Sequence, residues 1–260
     1  MFGLCMKKKV LGIDIGGSGV KGAIVDLSKG EFVGERIRIP TPAEHTPQAV
    51  LDAVGEIISG FGYHGKIGCG FPGVIRSQII ETAANIGGRN FIGKNFAELI
   101  GLRFGCDAWV LNDADAAGLA EVKFGAGKGV RGSVLVLTVG TGIGASLFVD
   151  GVLVPNLELG HLKMRDKSSG RNVDAEKLYS DAARKRHDLS WKGWASGFNK
   201  YLSYVQALLR PDLIIIGGGV SSKSDKFFKY LDVGCDVAAA KLQNRAGIIG
   251  AALCANSAIK

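Results

Sequence analysis

A strand, a glycine turn and a second strand occur in succession twice in this chain, and no other feature narrows the choice of fold as much. Val10–Ile15 is a short apolar run, followed by Gly16-Gly17-Ser18-Gly19 and a second run, Val20–Leu27. Val134–Val139 leads in the same way into Gly140-Thr141-Gly142-Ile143-Gly144 and then Ala145–Val149. Apolar runs of this length read as buried strands, and the glycine turn between them as a hairpin connection. Shifting the first block by 124 residues puts Gly16 on Gly140, Val25 on Val149 and Asp26 on Asp150. A supersecondary unit repeated in this way predicts two domains of related construction. Glycine supplies 39 of the 260 residues, about twice its usual ~7% share and without a collagen period. Such an excess serves tight turns and close approach of the backbone to a ligand.

Between and after the two hairpins, strands alternate with helical stretches, which argues for α/β layers. Helices are expected near Pro47–Ser59, Ala114–Phe124, Asp174–His187 and Trp194–Leu209, and strands at Lys66–Phe71, Ala108–Leu111 and Leu213–Ile216. Gly217–Gly219 reads as a turn into another helix, and the small-residue segment Gly247–Ala258 as a terminal helix. The expected division is a small N-terminal α/β domain over 1–113 and a larger C-terminal α/β domain over 114–246. The helix at about 247–260 is expected to pack back on the first domain.

Charge and cysteine usage bound the class of protein. The longest apolar runs are strand-sized, far short of a membrane span. The opening residues MFGLCMKKKV place charge after a short apolar patch, the wrong order for a signal peptide. Five scattered cysteines, none spaced as CxxC, fit reduced thiols in a cytoplasmic protein better than a disulfide framework. The net charge of +8 is uneven: residues 1–113 carry a net +1 and residues 114–260 a net +7. A field of this kind suits an anionic ligand, although a solvated, solubilising face produces it too.

Three glycine turns stand at strand ends. In the first, Asp14 precedes Gly16, Gly17 and Ser18, with Lys21 following. Unobstructed backbone N–H groups can cradle phosphate oxygens there, and the carboxylate can hold Mg²⁺ directly or through water. The spacing is not that of a P-loop, and a purely structural hairpin would look the same. Gly140, Thr141 and Gly142 offer a second cradle with a hydroxyl added, and Gly217, Gly218 and Gly219 a third. Asp113, beside Asn112 at a strand-to-helix junction, is a candidate base for an alcohol proton; equally, it could cap the helix that begins at Ala114. Glu158-Leu-Gly-His161 brings a carboxylate and an imidazole together, suited to the adjacent hydroxyls of a polyol. The same pair could be surface decoration or part of a metal site whose third ligand is missing.

The segments LGIDIGGSGVKG, LNDADAAGLAE, LTVGTGIGASLFVDG, ELGH and IIIGGGVS resemble, in this order, those of the ROK (repressor, open reading frame, kinase) sugar kinases of the actin-like ATPase superfamily. The resemblance runs from about Leu11 to the C-terminus. It implies two ribonuclease-H-like α/β domains around a central cleft, with sugar and phosphate donor between them and Mg²⁺ at the donor. It also implies that Asp113 is the general base and that Asn112, Glu158 and His161 are sugar ligands. Gly73, in FPGV, and Asn85, in TAANI, resemble sugar-side loops of the small domain. Asp14, Gly16, Gly17, Ser18 and Lys21 resemble the first phosphate motif, and Gly140, Thr141 and Gly142 the second. Gly217–Gly219 resemble the turn beside which a nucleotide base lies.

The chain departs from most of the family after ELGH. A zinc-binding segment that ends in a sugar-binding glutamate is usual there, whereas this chain has LKMRDKSSGRNVDAEKL, with no cysteine. Glu176 takes the place of that glutamate, and no structural zinc is expected. The zinc-free segment, together with RIPTP, FPGV, TAANI and DAEK, is similar to polyphosphate glucokinases and glucomannokinases. The implied reaction moves a phosphoryl group from inorganic polyphosphate, and ATP, to the 6-hydroxyl of glucose. An ATP-only hexose or N-acyl-hexosamine kinase is the alternative. Between His161 and Lys192 the chain carries nine basic and five acidic side chains, and a polyanionic donor favours such a surface. Lys163, Arg165, Lys167, Arg171, Arg184, Lys185 and Arg186 are the cations grouped there. A sugar-responsive regulator of the same family is not expected, because the first phosphate motif begins at residue 11 and leaves no room for a DNA-binding domain. Neither nucleic acid nor membrane is an expected partner, and family habit implies a homodimer.

Overall fold

Both glycine turns close antiparallel hairpins, and each hairpin belongs to a sheet built in the same strand order. The computed structural model describes residues 9–84 and 86–257. The chain divides into two compact units, Met1–Ala120 with Arg245–Lys260, and Glu121–Asn244.

The first unit opens with β1 (Lys9–Gly16) and β2 (Gly19–Asp26), then the short strands β3 (Glu31–Phe32) and β4 (Ile37–Ile39). Helix α1 (Pro47–Phe61) and strand β5 (Ile67–Phe71) follow, then a small hairpin of β6 (Ile75–Arg76) and β7 (Ile79–Ile80), helix α2 (Phe96–Phe104) and strand β8 (Ala108–Asn112). The unit boundary falls within α3 (Asp113–Phe124), not at its first residue. The sheet order is β3-β2-β1-β5-β8, with β4 also paired to β2. β1, β5 and β8 run parallel, so their carboxyl ends lie along one edge of the sheet.

The second unit holds β9 (Ser133–Val139), β10 (Ile143–Val149), β11 (Val152–Leu157) and a hairpin of β12 (Lys163–Arg165) and β13 (Asn172–Asp174). Helices α4 (Ala175–Tyr179), α5 (Asp181–Arg186) and α6 (Trp191–Leu209) come next, followed by β14 (Leu213–Gly217), α7 (Ser224–Phe227) and β15 (Asp236–Ala239). Its sheet order, β11-β10-β9-β14-β15, repeats that of the first unit: three antiparallel strands, then two parallel ones. This is the ribonuclease-H-like arrangement, present twice. The last helix, α8 (Ala246–Ser257), belongs to the first unit.

Two sequence expectations need correction. Val10 faces Val25 across the first hairpin, whereas Val134 faces Phe148 across the second. The second hairpin is thus one residue shorter, and the shift of 124 that fits the first strands becomes 123 for their partners. A one-residue slip turns a strand over; a uniform shift sets buried Val25 on Val149, which is 48% exposed. The expected helix over Asp174–His187 is also broken. Ser180 takes an extended conformation (φ −68°, ψ 164°), and its hydroxyl accepts the Ala183 N–H at 3.1 Å, ending α4 and capping α5.

Each sheet is covered by a helix whose apolar spacing fits the task. In α1, Val50, Val54 and Ile57 are buried against Ile13, Ile15 and Val20. Thr46 caps the helix, Pro47 sits at its first turn, and Gly62 ends it at φ 53°. In the second unit Trp194 stacks on Phe198 at 4.7 Å between ring centroids and meets the edge of Phe227 at 5.0 Å. Helix α8 lies against neighbouring glycines of β1 and β5. Gly12 and Gly68 face each other in register, and a Cβ on either would lie 2.0 or 1.7 Å from a carbonyl oxygen of α8. Among the described residues Cys69, Cys106, Cys235 and Cys254 are free thiols, and no helix is long and apolar enough to cross a membrane.

Candidate active site

In the first unit, the carboxyl ends of β1, β5 and β8 carry Asp14, the Phe71–Gly73 turn and the Asn112–Asp113 pair. Ligands of open α/β sheets bind at such strand ends. Asn112 is buried and ties this edge together. Its Nδ2 donates to the Gly73 carbonyl at 3.0 Å, while its Oδ1 accepts the N–H groups of Ala114 (2.8 Å) and Asp115 (3.0 Å). Asn112 is therefore the cap that reaches into the first turn of α3. Asp113, which the sequence left open between cap and base, accepts the adjacent Ala114 N–H at 2.8 Å, and it is half-buried.

Gly73 is held from the other side as well. A Cβ there would lie 1.9 Å from the Thr82 carbonyl oxygen, so only glycine lets the two loops meet. Thr82 Oγ1 accepts the Val74 N–H at 2.9 Å, and the Pro72 carbonyl accepts the Ala84 N–H at 2.8 Å. The FPGV and TAANI segments are thus zipped together, with Asn112 bonded to the former. Asn85 itself lies outside the described residues.

At the first glycine turn Asp14 and Lys21 face each other across β1 and β2. Their side chains form an ion pair at 3.1 Å, each about one-quarter exposed. Gly17 and Ser18 are exposed. Two further residues brace this turn: Thr41 Oγ1 donates to the Gly16 carbonyl, and Arg38 Nη2 to the Ser18 carbonyl at 2.9 Å. Both lie in the ERIRIPTP stretch, where the three-residue strand β4, which carries Arg38, has too little periodicity to flag them from sequence.

In the second unit, the turns after β9 and β14 sit on adjacent parallel strands, with Gly217 opposite Thr138. Gly218 has φ 73°, and a Cβ there would press within 2.6 Å of the Val139 backbone, so packing requires it to be glycine. Gly140 and Gly219 differ. Neither has a positive φ, and no heavy atom lies within 4 Å of a Cβ built on either. The protein itself gives no reason for glycine at these two positions, and the open space suits a ligand phosphate close to the backbone.

Glu176, the first-turn glutamate of α4, reaches this second glycine turn. Its Oε2 accepts the Ile143 N–H at 3.3 Å, and Cβ atoms on Gly142 and Gly160 would lie 2.4 and 3.4 Å from it. Glycine at 142 therefore makes room for this carboxylate, while at Gly160 a Cβ would press within 2.2 Å of the Ile143 carbonyl oxygen. Beside it, His161 stands between two acids: Nε2 is 3.5 Å from Glu158 and Nδ1 is 3.5 Å from Asp174. Burial pushes the Glu158 carboxyl above the usual glutamate range, His161 opposes that shift, and the Glu176 charge adds to it. Asp174 is held below the usual range, first by its hydrogen bond to the Lys163 ammonium and then by that charge and by His161. Asp174 was not singled out from sequence; its only signal was the DAEK segment. Among the described residues no group of three or more His, Cys, Asp or Glu side chains is placed to hold a metal ion.

Residues 10–186 match the family model described as the ROK family. The polyphosphate glucokinase of Mycobacterium tuberculosis (strain CDC 1551 / Oshkosh) is 42% identical over 252 residues, spanning 96% of this chain and 92% of that protein. Among solved structures, the inorganic polyphosphate/ATP-glucomannokinase from Arthrobacter sp. strain KM superposes with a TM-score of 0.87 at 43% identity, covering 94% of this chain and 97% of the other. A ROK family glucokinase from Streptomyces griseus, solved with glucose and AMPPNP, superposes with a TM-score of 0.80 at 23% identity, covering 96% and 99% of the two chains. At that identity the likeness speaks for the fold alone. With its doubled topology, its strand-end motifs and this extent of similarity, the chain belongs to the ROK family.

Proposed function

We propose that this chain is a glucokinase that moves a phosphoryl group from inorganic polyphosphate, and from ATP as a second donor, to the 6-hydroxyl of glucose. The observation that carries the kinase reading is the division of labour at the end of β8. Asn112 caps α3 and bonds the Gly73 loop, and Asp113, half-buried beside it at the same strand end, serves in this reading as the acceptor of the hydroxyl proton. The similarity to a polyphosphate glucokinase and a polyphosphate/ATP-glucomannokinase along nearly the whole chain supports the choice of donor.

In this reading Glu158, His161 and Glu176 hold sugar hydroxyls, and so does the Gly73 loop with Asn85. The backbone N–H groups of the Gly16–Ser18 and Gly140–Gly142 turns hold donor phosphates, and Gly219 faces the nucleotide when ATP is the donor. Phosphoryl transfer asks little covalent chemistry of the protein, so most of the acceleration comes from alignment and charge neutralisation. Asp14, partly exposed at the strand end beside the first turn, fits a role in holding Mg²⁺, directly or through water. When bound with the donor, that ion supplies neutralisation of the phosphate charge.

Steady-state turnover with long-chain polyphosphate or ATP, at fixed glucose and Mg²⁺, tests the reading. Glucose 6-phosphate should form with both donors, with polyphosphate a competent donor in the absence of nucleotide. Turnover with ATP alone would make the chain an ATP-only hexose kinase, and turnover with neither would overturn the kinase reading.

A further inference from the structure

We infer that Arg38 is a donor-binding residue whose guanidinium grips a phosphate held at the Gly16–Gly19 turn; the inference rests on the phosphoryl-transfer reading above. Strand β4 pairs with β2 so that Arg38 stands directly opposite Lys21. From there the side chain reaches the turn and donates from Nη2 to the Ser18 carbonyl at 2.9 Å. It also lies against Gly19, where a Cβ would come within 2.9 Å of Nε and 3.2 Å of Cζ. An exposed arginine ordinarily samples many rotamers, whereas this one is laid along the turn in a place that glycine keeps open.

The charges nearby make Arg38 the available cation. Lys21 is engaged with Asp14 at 3.1 Å, while among the described residues Arg38 forms no ion pair. Its guanidinium offers five N–H donors in a planar fork, a geometry that matches phosphate oxygens in pairs. The single bond to Ser18 fixes the plane and uses one donor. Thr41 Oγ1 occupies the Gly16 carbonyl, so donors cover two of the oxygens that would otherwise repel an anion. Gly17 and Ser18 are exposed, which leaves the approach open. The arrangement is a preorganised anion clamp: turn amides on one side, and a side chain from a neighbouring strand on the other.

The test compares wild type with Arg38→Gln and Arg38→Lys by calorimetric binding of inorganic tripolyphosphate, by donor kinetics, and by calorimetric binding of glucose alone. Arg38→Gln should weaken tripolyphosphate binding and raise KM for both polyphosphate and ATP by about 10- to 100-fold, the usual worth of a charge-assisted hydrogen bond. Glucose affinity and melting temperature should stay near wild type. Arg38→Lys should recover part of the loss, because it keeps the charge but not the fork. Unchanged tripolyphosphate binding in Arg38→Gln would overturn the inference. So would a loss of glucose binding and melting temperature in step with the donor loss, since Arg38 would then merely brace the turn. If wild type bound tripolyphosphate through Arg38 yet phosphorylated no glucose, the donor clamp would stand and the glucokinase reading would fall.

Discussion

Asn112 and Asp113 sit side by side, and their different surroundings give them different work. The Asn112 carboxamide is buried and bonded to three backbone groups, so its contribution is to the shape of the strand end. Asp113 remains half-buried at the same edge. Asp113→Asn should therefore preserve the fold while removing the base, and kcat should fall by on the order of 10²–10⁴, the usual range for general-base catalysis. Near-wild-type turnover with glucose would reduce Asp113 to a helix-terminus residue. Residue types and order were enough to pick out this pair from the sequence. The sequence left Asp113 open between cap and base and did not show that the cap is Asn112, whose carboxamide is also held by a bond to Gly73, 39 residues away. Glu158 yields a pH prediction. Burial raises its pKa above the ordinary glutamate value of about 4.3. As pH falls, its carboxylate is lost earlier than that of a free glutamate, and with it an acceptor for a sugar hydroxyl. KM for glucose should rise on the acid side from above the usual carboxylate range, and Glu158→Gln should abolish that limb. For stability the sign is reversed. The raised folded-state pKa favours the protonated form, so Glu158's contribution is fully present below the unfolded pKa and is lost as pH rises through the folded one. A glucose KM profile that Glu158→Gln leaves unchanged would remove this carboxylate from the sugar site.

At the scale of elements, the segment after His161 folds as a β12–β13 hairpin followed by two short helices. Its hairpin was not legible in the sequence. Three-residue strands carry too little periodicity to stand out, and the break between α4 and α5 depends on one serine turning extended to act as a cap. The charge excess was legible, but its availability was not. Lys163 is bonded to Asp174, and Arg184 and Lys185 share Asp181 at 2.8 Å each. Arg184 also lies 4.1 Å over the Trp191 ring. These three cations serve the fold. Arg165, Lys167 and Arg171 are exposed and form no ion pair among the described residues. Asp166, between them, is bonded to the hydroxyls and amides of Ser168 and Ser169, which hold its carboxyl down to about 2; it stays charged and offsets one of the three, leaving the tip a net positive charge. A long polyanion can touch charges outside the glycine turns, whereas ATP carries its few charges at them. Replacing Arg165, Lys167 and Arg171 together by glutamine should raise KM for long-chain polyphosphate several-fold and flatten its salt dependence. ATP kinetics and melting temperature should hardly move, as is usual for exposed surface positions. Equal losses with both donors, or none with either, would take the hairpin out of the donor path.

The whole molecule repeats one topology, and the glycine-rich hairpins announced that repetition. Register and closure were less legible. The one-residue difference between the hairpins depends on how each turn closes, and the docking of α8 joins residues at opposite ends of the chain. Those long-range contacts also separate the abundant glycines into two physical kinds. Gly12, Gly68 and Gly250 are glycines because backbone presses on them; a Cβ on Gly250 would lie 1.6 Å from the Ala116 carbonyl oxygen. Gly140 and Gly219 have open space where a Cβ would go. A paired substitution tests the distinction. Gly68→Ala would drive a methyl group to within 1.7 Å of the Ala251 carbonyl oxygen, so α8 must shift away from β1 and β5. Overpacking of this kind costs about 1–3 kcal/mol or more, and a chain of this size should lose roughly 2–4 °C in Tm for each kcal/mol. Gly140→Ala meets no neighbour and needs no left-handed backbone, so its stability should stay within about 0.5 kcal/mol of wild type. Its donor KM should nevertheless rise, because the added methyl group takes space that the proposed phosphate needs. Thermal melts and donor kinetics on the two variants separate the kinds: a folding loss for Gly68→Ala, and a donor loss without a folding loss for Gly140→Ala. Wild-type donor kinetics in Gly140→Ala would show that the second turn is open for some reason other than the donor.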